Sequence, residues 1–525
     1  MLADQLLVNG RIYTMDAERP RASALAIAGE RVLAVGDDLH DLLAPGGEVR
    51  DLGGRCVLPG LTDSHIHFTG YALSLRMLDL ADAASLSEML TAVARRARET
   101  APGEWIVGQR WDQERWPERR FPTSADLDAA APDHLILLRS KSGHALAANS
   151  RALRLAGITA ETPDPPGGRI GRDAAGRPDG MLFEDSAMKL VAALVPLPGA
   201  EETDRALRKA FPNAWRVGLT SIHDVDGPPA FAAYQRLRAR GDLGLRIVKY
   251  IPGDALDCAL EIGLQAGLGD DWLRLGGIKL FADGALGART ALMLSPYEGE
   301  PENVGIPIIE KDMLRELARK AAAGGLPLAV HCIGDAANRM VLDALADAGA
   351  GGLRHRIEHV QLLHPDDVGR LAELSVVASM QPIHAMQDHE MADRYWGDRC
   401  ATAYAWRSLL ETGALLVFGS DSPVEDFNPF VGIHAAVTRR CADGSPGPEG
   451  WYPEQRLTVE EAVRAYTLSA ARAVGLEDRL GSLSPGKLAD LVVLDRDIFE
   501  CDPMEIVKTE VEATMIGGRL VYGGV

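Results

Sequence analysis

The stretch LPGLTDSHIH, residues 58–67, carries the pattern that decides the predicted fold: a short apolar run that ends in polar residues. His65 and His67 are two residues apart, so on a strand both imidazoles lie on one face and can be directed at one point. An HxH pair alone is a weak indication, because two unrelated, hydrogen-bonded histidines give the same pattern. Its meaning depends on what the rest of the chain places beside it.

Seven further apolar runs follow, and they alternate with Ala/Leu/Arg-rich stretches of helical character, the pattern of a parallel α/β fold. The predicted strands cover residues 57–67, 218–223, 246–251, 273–281, 327–331, 354–359, 375–380 and 415–419. Eight parallel strands with intervening helices close a (β/α)8 TIM barrel. We therefore predict an α/β protein with a TIM barrel over residues 58–484.

The two ends of the chain have a different sequence pattern, with short β-type runs separated by turn residues. Two of these runs are joined by Gly517-Gly518, which predicts a hairpin. We predict that residues 1–57 and 485–525 form one composite β-sandwich of antiparallel strands. Barrel strands 1 and 2 are separated by far more chain than one helix needs, so residues 75–205 are predicted to form an inserted subdomain.

Composition excludes several classes of protein. The chain has 55 Lys and Arg against 75 Asp and Glu, a formal charge of −20, which is the wrong sign for a nucleic-acid partner. Its 6 cysteines are widely spaced and form no CxxC motif, which fits a reducing compartment. No secretory signal and no apolar run of membrane-spanning length is visible. These features predict a cytoplasmic protein without a nucleic-acid or membrane partner.

Polar residues recur at the ends of the predicted barrel strands, where barrel enzymes place their chemistry. Each has an ordinary alternative: a lysine that extends to water, a histidine hydrogen-bonded in the core, or an aspartate that caps a turn. Together they are hard to explain as packing, because a barrel interior prefers apolar side chains and a metal centre would compensate the buried polar groups. The six residues are His65, His67, Lys279, His331, His359 and Asp421.

These motifs make the chain resemble the amidohydrolase superfamily, and within it the amidohydrolase-3 branch that includes N-substituted formamide deformylases. The resemblance covers nearly the whole chain and is specific to the superfamily rather than to a substrate. The motifs that carry it are PGLTDSHIH, SGHALAANS, GLTSIHD, KLFADGALGART, VHCIGDAAN, RIEH, MQP, GSDSP and SPGKLADLVVLD.

The resemblance implies a centre of two divalent metal ions, with zinc as the expected metal. His65, His67 and Asp421 would hold the more buried ion, His331 and His359 the second, and Lys279, carboxylated by carbon dioxide, would bridge them. A site with one metal stays open. The implied reaction is cleavage of a non-peptide carbon–nitrogen bond, in an amide or an N-acyl or N-formyl amine, by a metal-bound hydroxide. Asp421 would accept the proton of the hydroxide and deliver it to the leaving amine.

Four further residues are predicted to contact a small-molecule substrate: His144, Asp283, His384 and Trp111. A turn or capping role is the alternative for His144, and core packing is the alternative for Trp111. Asp283 has the alternative role of orienting the bridging Lys279, and His384 a position at the barrel mouth or behind the metal ligands. Two other reactions on the same scaffold stay open, deamination at one metal and hydrolysis of a lactone or ester. A non-catalytic assembly or binding protein is a more distant alternative, because such relatives lose metal ligands and none of the six is lost here. A homodimer would be compatible with the resemblance.

Overall fold

The computed structural model describes residues 1–141, 145–165, 168–349 and 352–524. Eight parallel strands form one sheet whose spatial order follows the order of the chain. The backbone N–H of Asp421 donates to the His65 carbonyl oxygen at 2.7 Å, which joins the segment after strand 8 to strand 1. The prediction of a TIM-barrel fold is confirmed. Barrel strands 1 to 8 are Leu61–Ile66, Leu219–Asp224, Arg246–Pro252, Leu273–Phe281, Leu328–Cys332, Arg356–His359, Val377–Met380 and Leu416–Phe418.

Amphipathic helices separate the barrel strands. In the helix Asp335–Asp347 the buried residues recur in pairs with helical spacing, at Ala337 and Asn338, Val341 and Leu342, and Ala344 and Leu345. The other helices outside the insertion are Phe68–Ser74, Ala200–Arg216, Pro228–Arg240, Leu256–Glu261, Lys311–Ala323, Arg370–Glu373, Pro382–Trp396, Trp406–Glu411, Pro429–Thr438, Val459–Ala465 and Leu468–Ala473.

The predicted strand 57–67 is in fact two strands in two different sheets. Cys56–Pro59 pairs with Leu491–Leu494 near the C-terminus, whereas barrel strand 1 begins at Leu61. Gly60 lies at the break, where an added Cβ would be 2.2 Å from Oγ1 of Thr220 on strand 2. A continuous strand was the wrong prediction because an apolar run does not reveal where one sheet ends and the next begins.

The terminal segments form two sheets that contribute to one hydrophobic cluster. The predicted hairpin at Gly517-Gly518 is confirmed, and both glycines have positive φ, as a two-residue turn requires. The expectation of antiparallel strands throughout was wrong, because Ala3–Val8 pairs in parallel with Leu43–Asp51 across a long connection. In spatial order the sheets are Arg31–Gly36, Ala24–Ala28, Ala3–Val8, Leu43–Asp51, and Arg519–Gly523, Val511–Ile516, Leu491–Leu494, Cys56–Pro59, Arg11–Tyr13, Arg21–Ala22.

Residues Ala72–Ala206 form a separate compact unit with its own core. The sequence predicted an insertion here but not its six-stranded mixed sheet. In spatial order its strands are Arg169–Arg172, Pro178–Phe183, Ala145–Ala148, Leu135–Ser140, Trp105–Trp111 and Leu78–Asp79, and its helices are Leu86–Glu99, Ser124–Ala130, Ser150–Leu155 and Glu184–Ala192.

A buried ion pair links barrel strand 3 to the C-terminal segment. Arg246 donates to both carboxylate oxygens of Asp490, at 2.6 and 2.9 Å, and both side chains are almost fully buried. We expect Arg246→Met to lower the free energy of unfolding by about 3–5 kcal/mol, because Asp490 is left as an unpaired buried charge. Urea unfolding followed by near-ultraviolet circular dichroism measures this loss.

The matched control is Arg238→Met, which breaks a half-exposed ion pair with Asp270 and should cost less than about 1 kcal/mol. Equal losses in the two variants would contradict the assigned role of the buried pair.

Across the described ranges, none of the helices combines the length and the apolar character needed to cross a lipid bilayer.

Candidate metal centre

The fold brings the predicted metal ligands to one end of the barrel. His65, Lys279, His331 and His359 lie at or near the carboxyl ends of strands 1, 4, 5 and 6, and Asp421 follows strand 8. Carboxyl ends of parallel barrel strands meet at the same face. Two of the five have a left-handed backbone, His359 with φ 74° and Asp421 with φ 61°. Such strained conformations concentrate at functional sites.

The first cluster consists of His65, His67 and Asp421. Oδ1 of Asp421 lies 3.4 Å from Nε2 of His65 and 3.6 Å from Nε2 of His67. One ligand atom from each residue fits within 4.8 Å of the others. Two imidazole nitrogens and one carboxylate oxygen are ligands that zinc accepts.

A second cluster shares the same carboxylate and contains a histidine that the sequence had placed among the substrate contacts. Ligand atoms of His359, His384 and Asp421 also lie within 4.8 Å of one another. The ring centroid of His331 is 4.6 Å from that of His359, so the predicted second pair is adjacent. Asp421 therefore faces both groups of histidines.

Carboxylates fix the orientation of the first two histidines. Nδ1 of His65 donates to Oε2 of Glu358 at 2.5 Å, and Nδ1 of His67 donates to Oδ1 of Asp226 at 3.0 Å. An ionised carboxylate only accepts hydrogen bonds, so each Nδ1 carries a proton, and in the neutral imidazole each Nε2 keeps its lone pair. In both residues that free nitrogen is the atom near Asp421.

Neutral acceptors fix the other two predicted ligands. His331 donates from Nε2 to the Gly284 carbonyl oxygen at 2.8 Å, and His359 donates from Nδ1 to the Gln381 side-chain oxygen at 2.7 Å. The free nitrogens are therefore Nδ1 of His331 and Nε2 of His359. The hydrogen-bond acceptors of the two pairs thus differ: carboxylates for His65 and His67, and uncharged oxygens for His331 and His359.

The pKa values favour neutral imidazoles at His331 and His359 beside an ionised Asp421. Burial would lower the pKa of His67 as well, but its hydrogen bond to Asp226 and the charge of Asp421 raise it instead. Burial, with the nearby Lys279, lowers the pKa of His331 to about 4, and burial holds the pKa of His359 well below its usual range. Burial alone would raise the pKa of Asp421, but the neighbouring histidines hold it well below the ordinary value. Neutral imidazole and ionised carboxylate are the forms that bind metal ions.

Lys279 is buried, and within the described residues its Nζ atom has no hydrogen-bond partner. Burial, the largest influence, lowers its pKa to about 8, although Glu358 and Asp421 oppose the shift. A buried amine without a partner is costly unless something else satisfies it. The orphaned Nζ and the converging ligand atoms therefore fit a divalent metal centre.

The sequence did not identify the residues that hold the ligands in place. Glu358 precedes His359 in RIEH, Asp226 follows strand 2, and Asp63 lies within TDSHIH. Oδ1 of Asp63 accepts from the backbone N–H of His65 and of Ser420, each at 3.1 Å, which ties strand 1 to the segment that carries Asp421. The only sequence signal for Glu358 and Asp63 is an acidic residue inside a motif already recognised for another reason, and Asp226 lies two residues beyond the motif GLTSIHD.

The predicted substrate contacts differ in where they lie. Asp283 is fully buried and accepts from the backbone N–H of Leu292, Ile333 and Gly334, so its carboxylate organises loops. Trp111 is buried in the core of the insertion. The placement of Trp111 matches its core-packing alternative, and Oδ1 of Asp283 also lies 3.7 Å from Nε2 of His331. His384 lies beside Asp421, and His144 lies outside the described residues.

A sequence profile of the amidohydrolase family matches residues 48–522. The chain belongs to the amidohydrolase family. It is 34% identical to the protein YtcJ of Bacillus subtilis, with 98% of both chains covered. It is 30% identical to N-substituted formamide deformylase of Arthrobacter pascens, over 99% of this chain and 98% of that protein.

Among solved structures, a metal-dependent hydrolase from Pyrococcus horikoshii is similar to this amidohydrolase-family protein, with a TM-score of 0.81 and 30% identity. The similarity covers 95% of this chain and 99% of that one. Family and fold together identify the protein as a hydrolase that acts on carbon–nitrogen bonds other than peptide bonds.

Proposed function

We propose that this protein hydrolyses the carbon–nitrogen bond of a small amide or of an N-acyl or N-formyl amine, at a centre of two divalent metal ions. One observation carries the proposal: Oδ1 of Asp421 faces His65 and His67, while its Oδ2 lies 3.9 Å from Nε2 of His384. The 30% identity to N-substituted formamide deformylase makes N-substituted formamides the first substrates to test.

The candidate metal ligands divide into two sets. His65, His67 and Asp421 would hold one ion, and His331 and His359 the other, with Lys279 between them. Zinc is the working choice because it accepts imidazole and carboxylate ligands. When bound, the metal supplies Lewis acidity toward the substrate carbonyl and toward a water molecule.

Asp421 moves the proton in this scheme. Its low pKa keeps it ionised at neutral pH, so it can accept a proton from the attacking water. It then gives that proton to the leaving nitrogen. The water oxygen with its second hydrogen stays on the acyl carbon, and the amine leaves with its proton count complete.

His384 is suited to orient the substrate. Nε2 of Gln361 approaches Nδ1 of His384 at 3.4 Å, which places the imidazole proton on Nε2. That Nε2 is buried, and in the described part of the chain it has no hydrogen-bond partner. It can therefore donate to the substrate carbonyl oxygen where negative charge develops.

Lys279 is expected to be carboxylated. Its lowered pKa leaves a fraction of neutral amine at neutral pH, and that amine can attack carbon dioxide and release a proton to form a carbamate. We expect a carbamate carbon signal in the ¹³C NMR spectrum of protein incubated with zinc and ¹³C-bicarbonate. The signal should be absent in Lys279→Met. A fully active enzyme without this signal would contradict the bridging role.

The function is tested with protein stripped of metal and reloaded with zinc. N-substituted formamides, other N-acyl amines, cyclic amides, matched esters, lactones and amino-substituted heterocycles are assayed together. We expect release of a free amine with two zinc ions per chain. Release of ammonia with one ion would favour a deaminase, and cleavage of an ester but not its matched amide would favour an esterase. A reloaded protein that binds no ion and turns over nothing would support a non-catalytic role.

A further inference from the structure

His67 is the most exposed of the histidines in the first cluster. Its side chain is 31% exposed, against 1% for His65. Burial alone therefore does not fix the His67 ring, and its hydrogen bond to Asp226 becomes the main constraint on its orientation. The second oxygen of Asp226 accepts from the backbone N–H of Gly70 at 3.0 Å, so the carboxylate holds both the ring and the chain just after it.

Asp226 lies in the loop after strand 2, and a buried ion pair holds its backbone on both sides. Its N–H donates to Oδ1 of Asp224 at 3.1 Å, and its carbonyl oxygen accepts from Nζ of Lys249. Lys249 and Asp224 are themselves paired at 2.7 Å with no exposed side-chain surface. The loop that carries Asp226 is thus fixed by charges on strands 2 and 3.

The same ion pair also reaches the segment that follows His67. Oδ2 of Asp224 accepts from the Tyr234 hydroxyl at 2.8 Å and from the backbone N–H of Phe68 at 3.2 Å. The Tyr234 oxygen in turn accepts from the hydroxyl of Thr69 at 3.0 Å. These contacts fix the backbone directly after His67 and the position of Asp226 relative to each other.

From this arrangement we infer that Asp226 is a positioning residue for His67, and that the Lys249–Asp224 pair acts through it to tighten metal binding by the first cluster. A carboxylate partner holds the proton on Nδ1, aims the free Nε2 toward Asp421, and makes the imidazole a stronger ligand. The inference rests on the proposed function, because it assumes that the cluster holds a metal ion.

The test is the affinity of the folded protein for Zn²⁺, measured by competition with a chelator. We expect Asp226→Ala to weaken binding of the first ion about 10- to 100-fold. Asp226→Asn should weaken it less, because an amide oxygen still accepts from Nδ1 but carries no charge. Asp242→Asn removes an exposed carboxylate that is paired with Arg208, and it should leave the affinity unchanged.

A double-mutant cycle tests the route through Asp226. Lys249→Met should weaken zinc binding in the wild-type background and add little to Asp226→Ala, because both changes release the same ring. The thermal midpoint of metal-free Asp226→Ala should stay close to that of the wild type. A residue with only a structural role would lower that midpoint and leave zinc affinity unchanged. If Lys249→Met does not fold, the two Asp226 variants decide.

Zinc affinity of Asp226→Ala within about twofold of the wild type would overturn this inference and leave the proposed function standing. A wild-type protein that binds no zinc would overturn both.

Discussion

Asp421→Asn should lower kcat about 100- to 10,000-fold, the range expected when a general base is lost. The amide has nearly the shape of the carboxylate, and asparagine tolerates the left-handed φ of 61° at this position. It cannot accept the proton of the attacking water, however, and it carries no charge to balance a metal ion. Steady-state kinetics and metal analysis of the zinc-loaded variant measure both effects, and we expect the metal content to be largely preserved.

Asp257→Asn is the matched control, because it removes an exposed carboxylate that pairs with Lys320. Its kcat should equal that of the wild type. An Asp421→Asn enzyme with kcat within about tenfold of the wild type would exclude Asp421 as the proton carrier.

Glu358→Gln should damage both stability and metal binding. Glu358 is fully buried, accepts from Nδ1 of His65 at 2.5 Å, and is ion-paired with the equally buried Arg356. The neutral amide leaves the Arg356 charge unpaired, which should cost about 3–5 kcal/mol of folding free energy. It also removes the charge behind His65, so zinc affinity should fall about 10- to 100-fold.

Urea unfolding and chelator competition measure the two losses separately. Glu460→Gln breaks a half-exposed pair with Arg464 one helical turn away, and it should change neither quantity beyond about 0.5 kcal/mol. A folded Glu358→Gln protein with wild-type zinc affinity would show that His65 needs no charged partner.

The candidate metal ligands could be proposed from the sequence because their signals are local. The two-residue spacing of His65 and His67 indicates that both side chains point to one side of the chain, and predicted strand ends identify Lys279, His331 and Asp421 within a repeating βα pattern. Each of these signals can be recognised in the sequence without knowledge of any distant contact.

The residues that position the ligands were not predictable, because their partners lie far away in the chain. Glu358 reaches His65 from strand 6, and Asp226 reaches His67 from the loop after strand 2. The same limit applies to Asp283 and Trp111, whose burial in loops and core depends on packing. His384 was predicted as a substrate contact, but only its distance to Asp421 places it within the second cluster.

The sequence by itself determined the barrel, the family and the six polar residues at its strand ends, because periodicity and motif order are properties of the chain. Only the tertiary structure showed that the chain leaves the terminal sheet at Gly60 and that barrel strand 1 begins after it. It also decided which group accepts the hydrogen bond of each histidine, and that Asp421 belongs to both clusters. The physical reason is that the protonation and orientation of a metal-binding side chain depend on its nearest neighbours in space. Those neighbours come together only when the barrel closes.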